Sequence, residues 1–186
     1  MLTASEITGQ IGRGEIGWPG ELRGDGLLLR LGSPLQPLAD TGQVIDLASQ
    51  DSIDTLYPAP LDDWDAFELA PGRMALCAAG QPLSLGAGFA AAIASLSHLA
   101  RVGLATHVTS PWVMPGWDGH LAFELVNAGP ATLRLHRGMP VARAVIWRMD
   151  GAASDPVPHA CYGRPGNLGS RYAEEFGSGL TVGTRA

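Results

Sequence analysis

A mainly β fold, a sandwich or distorted barrel with a few short helices, is what this sequence predicts. Short apolar runs with period-2 alternation recur along the chain, and proline or glycine punctuates nearly every gap, as at Pro19-Gly20, Pro71-Gly72 and Pro115-Gly116. Size is the third observation: 186 residues, 46% of them hydrophobic, suffice for one domain, 1–186, with a sizeable core.

Candidate strands are Leu27 to Leu31, Gln43 to Leu47, Phe67 to Leu69, Met74 to Ala78, Ala105 to Val108, His120 to Val126, Thr132 to Leu135 and Val141 to Trp147. Between them, Asp46 to Asp65 is rich in Asp and Pro with few alternating apolar residues and reads as an excursion loop. The Ala- and Leu-rich segment Ala90 to Val102 favours a helix. No internal repeat or low-complexity segment is present.

Composition removes several function classes. The net charge is −6, and the chain has no lysine and no arginine cluster, so no nucleic-acid surface is expected. The absence of lysine fits a GC-rich coding bias towards Arg, Ala and Gly. Cys77 and Cys161 stand far apart and make no disulfide framework, which suits a reduced, cytoplasmic protein. The start MLTASEITGQ lacks the basic and apolar regions of a signal peptide, and the longest apolar segment, Leu83 to Ile93, is too short to span a bilayer. No membrane partner is expected.

The stretch Ser95 to Asn127 carries the chemistry. In His120 to Val126, Leu121, Phe123 and Leu125 alternate with Ala122, Glu124 and Val126, so Glu124 lies opposite the core-facing residues. An exposed strand glutamate is the ordinary case. Small apolar flanks instead suit a pocket wall, where a carboxylate can shuttle protons. Ser97 and Arg101 are four positions apart, which on a helix puts both side chains on one face. A fixed guanidinium charge favours a nearby carboxylate in its ionised form, and a hydroxyl donates or accepts. Taken alone, a capping serine beside a solvated arginine explains that pair equally well.

The runs Ser97-His98-Leu99-Ala100-Arg101-Val102-Gly103-Leu104, His107-Val108-Thr109-Ser110, Pro115-Gly116-Trp117-Asp118-Gly119 and Phe123-Glu124-Leu125, with Asn127, resemble the central block of deoxycytidine triphosphate deaminases, members of the superfamily of trimeric deoxyuridine triphosphatases. Leu2 to Ile16 resembles the family's opening helix, Leu29 to Gly32 its early strand, Pro71-Gly72 with Met74 to Leu76 the strand after its turn, and Leu135 to Met139 with Val141 to Trp147 the strand pair that closes its barrel. The resemblance implies a dUTPase-like distorted barrel or jelly roll. It also implies a metal-independent hydrolytic deaminase of a cytosine nucleotide, working as a homotrimer with shared active sites.

By that resemblance Glu124 is the general acid/base, and Ser97 and Arg101 orient the attacking water and keep the glutamate charged. His107, Thr109 and Ser110 line the base pocket, partly through backbone groups. Trp117 joins this substrate-binding set, although Trp112, Trp117 and Trp147 all suit core or subunit packing better than base stacking. No cofactor is required for the chemistry; magnesium can accompany a nucleotide's phosphate chain. Zinc deaminases carry H-x-E and P-C-x-x-C elements, which are missing, and His98, His107, His120, His136 and His159 show no metal-binding spacing.

Several positions depart from the family's pattern. Leu96 replaces an arginine that contacts phosphate, Met114 an aspartate that contacts the deoxyribose hydroxyl, and Leu28 an acid. These changes imply an altered sugar or phosphate preference. They leave two alternatives open: a non-catalytic nucleotide-binding or regulatory trimer, and a dUTPase-like nucleotide diphosphatase, which Met114 disfavours. Residues 163–186 read as a mobile C-terminal lid or tail, in which Arg171 and Tyr172 reach phosphate oxygens and Glu174 and Glu175 repel them.

Overall fold

The computed structural model describes residues 1–151 and 168–177. Of the expectations above, His159, Cys161 and most of the 163–186 tail lie outside the described residues. In chain order the elements are α1 (Ala4–Gly12), β1 (Ile16–Gly17), β2 (Leu27–Pro37), α2 (Gln50–Asp54), β3 (Ala66–Leu69), β4 (Met74–Leu85), β5 (Phe89–Ser95), α3 (Ser97–Ala100), β6 (Leu104–Ala105), β7 (Trp112–Val113), β8 (Asp118–Asn127), β9 (Leu133–His136), β10 (Pro140–Arg148) and α4 (Tyr172–Phe176).

Eight strands form one curled sheet in the order β6-β8-β4-β2-β10-β5-β7, with β1 added to β4; β3 and β9 make a separate antiparallel ribbon. The curl comes from long strands that change partner along their length. The first half of β2 pairs with β10 (Leu28↔Arg143) and its second half with β4 (Leu35↔Cys77). At the change, β2 and β4 approach so closely that a Cβ on Gly32 would lie 2.6 Å from Gly80 Cα. Leu27, Leu29, Leu31 and Leu35 of β2 enclose the core with Phe123 and Leu125 of β8 and Val141, Ala144 and Ile146 of β10. The mainly β, distorted-barrel expectation therefore holds.

The opening helix is shorter than expected. Thr3 caps it by a capping box with Glu6, it ends at Gly12, and Ile16 belongs instead to β1, opposite Leu85. The two bonds to Thr3 hold the Glu6 carboxyl below its ordinary pKa.

Three other expectations need correction. Ala90 to Val102 is not one helix. Its first half is β5, fully paired with β10 from Phe89↔Arg148 to Ser95↔Ala142, and only Ser97–Ala100 is helical. Packing between two strands overrides the helix preference of alanine, which costs little in either state. Gln43 to Leu47 forms no strand: Val44 is 95% exposed and no neighbour offers a ladder. The excursion 46–65 contains α2, capped by the Ser49 side chain. Predicted strand ends also moved. The run 105–108 keeps strand pairing only at Leu104–Ala105, whereas β2 and β4 extend well beyond their predicted limits.

Candidate active site

Strand β8 sets Glu124 in place. Its inward residues Leu121, Phe123 and Leu125 are buried, so the alternation turns Glu124 outward, where it is half-buried. On that outer face it lies beside Leu76 of β4, which in turn pairs with Gln36 of β2. Leu76 is only 5% exposed and Gln36 donates to Pro58 O at 2.7 Å, so the excursion loop roofs part of this face. The wall around the carboxylate is thus apolar on one side, as Ala122 and Val126 suggest.

The other side of Glu124 is the loop after β6. Ala105 pairs with Val126, and the ladder then stops. Val108 N–H donates to Glu124 Oε2 at 3.0 Å, so a side chain takes the place of the next ladder bond. This ends the predicted strand early and sets Val108, within the loop 107–110, against the carboxylate. Thr109 and Ser110 are exposed, whereas His107 is half-buried and its Nδ1 is buried without a hydrogen-bond partner among the described residues. An unpaired ring nitrogen of this kind is a group awaiting a donor or acceptor.

Ser97 and Arg101 stand on a separate arm. Arg101 caps α3, and its N–H donates to Ser97 O at 3.2 Å, so the four-residue relation survives although the helix is a single turn. Both side chains are exposed, and neither forms a hydrogen bond or ion pair with Glu124 among the described residues. The arm is rooted at Gly103, whose φ of 89° and contact with the Gly129 backbone leave no room for a Cβ. Ala128 N–H donates to Gly103 O at 2.8 Å, tying the root to the end of β8.

Asn127 has a role the sequence does not announce. It is fully buried; its Nδ2 donates to Leu69 O and Ala131 O, both at 2.8 Å, and its Oδ1 accepts from Gly129 N–H at 2.9 Å. It locks the turn on which the arm rests. Trp117 is half-buried, packs against the core and donates its indole N–H to Gly119 O at 3.1 Å. Trp112 and Trp147 pack against each other with ring centroids 6.2 Å apart on the outer face of β5, β7 and β10. Leu28 is buried, Leu96 half-buried and Met114 41% exposed.

Arg171 and Tyr172 lie on the described part of the tail. Arg171 pairs with Glu174 at 2.9 Å and Tyr172 packs against Phe176, while Gln50 of α2 donates to Ser170 O at 2.8 Å. Within the described part of the tail, α4 therefore docks on α2 of the excursion. Among the described residues, no group of three or more His, Cys, Asp or Glu side chains is arranged to hold a metal ion, and no helix is long and apolar enough to cross a membrane. Burial pushes the Cys77 thiol up to about 12, so it is no nucleophile.

Known proteins resemble this chain in sequence and in fold. The curated dCTP deaminase (dUMP-forming) of Salinispora tropica is 33% identical over 128 residues, or 69% of this chain and 62% of that protein. The dCTP deaminase of Shewanella amazonensis is 33% identical over 120 residues, or 64% of this chain and 59% of that one. The chain thus spans about three fifths of the length of the curated relatives it matches. Among solved structures, the 2'-deoxycytidine 5'-triphosphate deaminase of Agrobacterium tumefaciens superposes with a TM-score of 0.59 at 18% identity, covering 78% of this chain and 47% of the other. EIAV dUTPase gives 0.50 at 12% identity, covering 78% and 98%. Both structural likenesses concern the fold. The family model described as dCTP deaminase-like matches residues 1–149, which include β8, the arm and the loop between them, and the chain therefore belongs to the dCTP deaminase-like family.

Proposed function

We propose that this protein is a metal-independent hydrolytic deaminase of a cytosine nucleotide or a related aminopyrimidine. The observation that carries the reading is the half-buried carboxylate of Glu124, held by Val108 N–H between an apolar wall and the loop 107–110. Deamination at C4 needs a nucleophilic water, a proton for the ring nitrogen and a proton for the departing amine. One carboxylate serves all three: it takes a proton from water as the C–O bond forms, passes it to N3, and delivers the second water proton to the nitrogen as the C–N bond breaks and ammonia leaves. Ser97 and Arg101 orient the water and keep Glu124 ionised, and His107, Thr109 and Ser110 face the base. No step calls for a cofactor. Magnesium enters this reading only as the companion of a phosphate chain. A reducing, cytoplasmic setting is supported by the free thiol of Cys77.

A homotrimer with shared sites accounts for the exposed arm. Among the described residues Ser97 and Arg101 have no partner on Glu124, and a largely apolar face bordered by Arg143 offers a surface for a second copy: Ala92 and Ala94 of β5, Val145 and Trp147 of β10 and the half-exposed Trp112. The name of the Salinispora tropica relative adds a second reading. Production of dUMP from dCTP requires loss of diphosphate as well as of ammonia, and Met114 supplies no carboxylate for that second step.

The test is ammonia release from cytosine nucleosides, monophosphates and triphosphates, ribo and deoxy, with products resolved by phosphate number. Glu124→Gln should lower turnover about 1000-fold while ligand binding persists. Turnover that survives this change would remove Glu124 from the chemistry. Release of diphosphate alone would favour the diphosphatase reading. Mixing inactive Glu124→Gln and Arg101→Ala subunits should restore about a quarter of the sites if each site draws on two chains, and none if it draws on one.

A further inference from the structure

The loop that holds Glu124 is itself held by very little. Between the last β6–β8 pair at Ala105 and the backbone bond of Ile93 N–H to Pro111 O, only two described hydrogen bonds tie residues 106–110 to the rest of the fold. One is Val108 N–H to Glu124 Oε2. The other joins two hydroxyls, Ser95 Oγ and Thr106 Oγ1, at 2.5 Å, with either as donor.

The placement of that hydroxyl pair is informative. Ser95 is the last residue of β5, immediately before the arm that carries Ser97 and Arg101, and Thr106 is the first residue after β6. The pair therefore closes the arm at its base, and Thr106 is fully buried, where water does not compete for the bond. Two residues further on, Val108 meets the carboxylate. The pair thus joins the start of the arm to the segment whose amide meets Glu124.

We propose that Ser95 and Thr106 are positioning residues, whose hydroxyl pair sets the 106–108 backbone so that Val108 N–H holds Glu124 in its working orientation. The role in turnover rests on the deaminase reading above, whereas the structural coupling does not.

The test uses the whole protein and two substitutions. Thr106→Val keeps shape and burial without the hydroxyl; Thr106→Ser keeps the hydroxyl. Hydrogen exchange at the Val108 amide should speed up about tenfold in Thr106→Val, the loss expected for one hydrogen bond, and stay at the wild-type rate in Thr106→Ser. For the best aminopyrimidine substrate, kcat should fall about tenfold in Thr106→Val with KM within about twofold, because orientation of the base and not ground-state binding is lost. Thr106→Ser should retain kcat. Unchanged Val108 exchange in Thr106→Val, or equal impairment of the two variants, would overturn the proposal. A wild-type protein that releases no ammonia would sink the deaminase reading instead, and Val108 exchange would still decide the coupling.

Discussion

Strand β8 and the arm from Leu96 to Gly103 supply the three candidate catalytic groups from opposite kinds of structure. β8 is paired with β4 along most of its length and buries Leu121, Phe123 and Leu125. The arm is one helical turn without a side-chain cap, and none of the residues of α3 is buried. Glu124 thus occupies its place as a consequence of core packing. Ser97 and Arg101 stand where the fold asks little of them. Stability and activity should therefore separate along this line.

The sharpest separation comes from Phe123→Ala. Truncation of a fully buried phenylalanine beside Glu124 should cost about 4 kcal/mol of stability in urea unfolding, and a loss under 1 kcal/mol would show that β8 is not the rigid half. Arg101→Ala should do the reverse: about a hundredfold lower kcat/KM, with stability altered by less than about 0.5 kcal/mol. A matching loss of stability would mean that the arm serves the fold. Asn127→Ala sits on the boundary, since its three bonds join the end of β8 to the turn below the arm; about 2 kcal/mol of stability should go, and thermal unfolding reads it.

A further separation concerns the alkaline limb. The buried thiol of Cys77 keeps its proton in the folded protein up to about pH 12, whereas an ordinary cysteine releases it near 9. Unfolding therefore releases a proton in that window, and stability falls as pH rises through it. Cys77→Ala should flatten this limb, and native Cys77 should escape alkylation at pH 8 in peptide mapping. Rapid labelling would place the thiol at a mobile surface.

How far the sequence foretold these two regions follows the same division. β8 was legible because one buried face imposes strict alternation, so His120 to Val126 placed Glu124 on the correct side. The four-residue relation of Ser97 and Arg101 was also legible, although the long helix expected to carry it was not there. Ala90 to Ala94 misled because alanine has little preference of its own when strands on both sides decide its conformation. The apolar residues Val44 and Leu47 found no neighbouring strand and are exposed, since pairing is a long-range event that a local pattern cannot supply. The Ser95–Thr106 pair was invisible for a similar reason: eleven residues separate two ordinary hydroxyls, and only the return of the chain brings them together.

The crossing of Gly103 over Gly129 has a kinematic meaning. Two backbones in contact, with no space for a Cβ between them, leave the arm no path by which to slide towards β8. The other end is held as well, where Leu96 N–H donates to Val141 O at 3.1 Å. The arm is thus a span fixed at both feet, and any adjustment of Ser97 and Arg101 to a bound molecule is a flexing of the single helical turn between them.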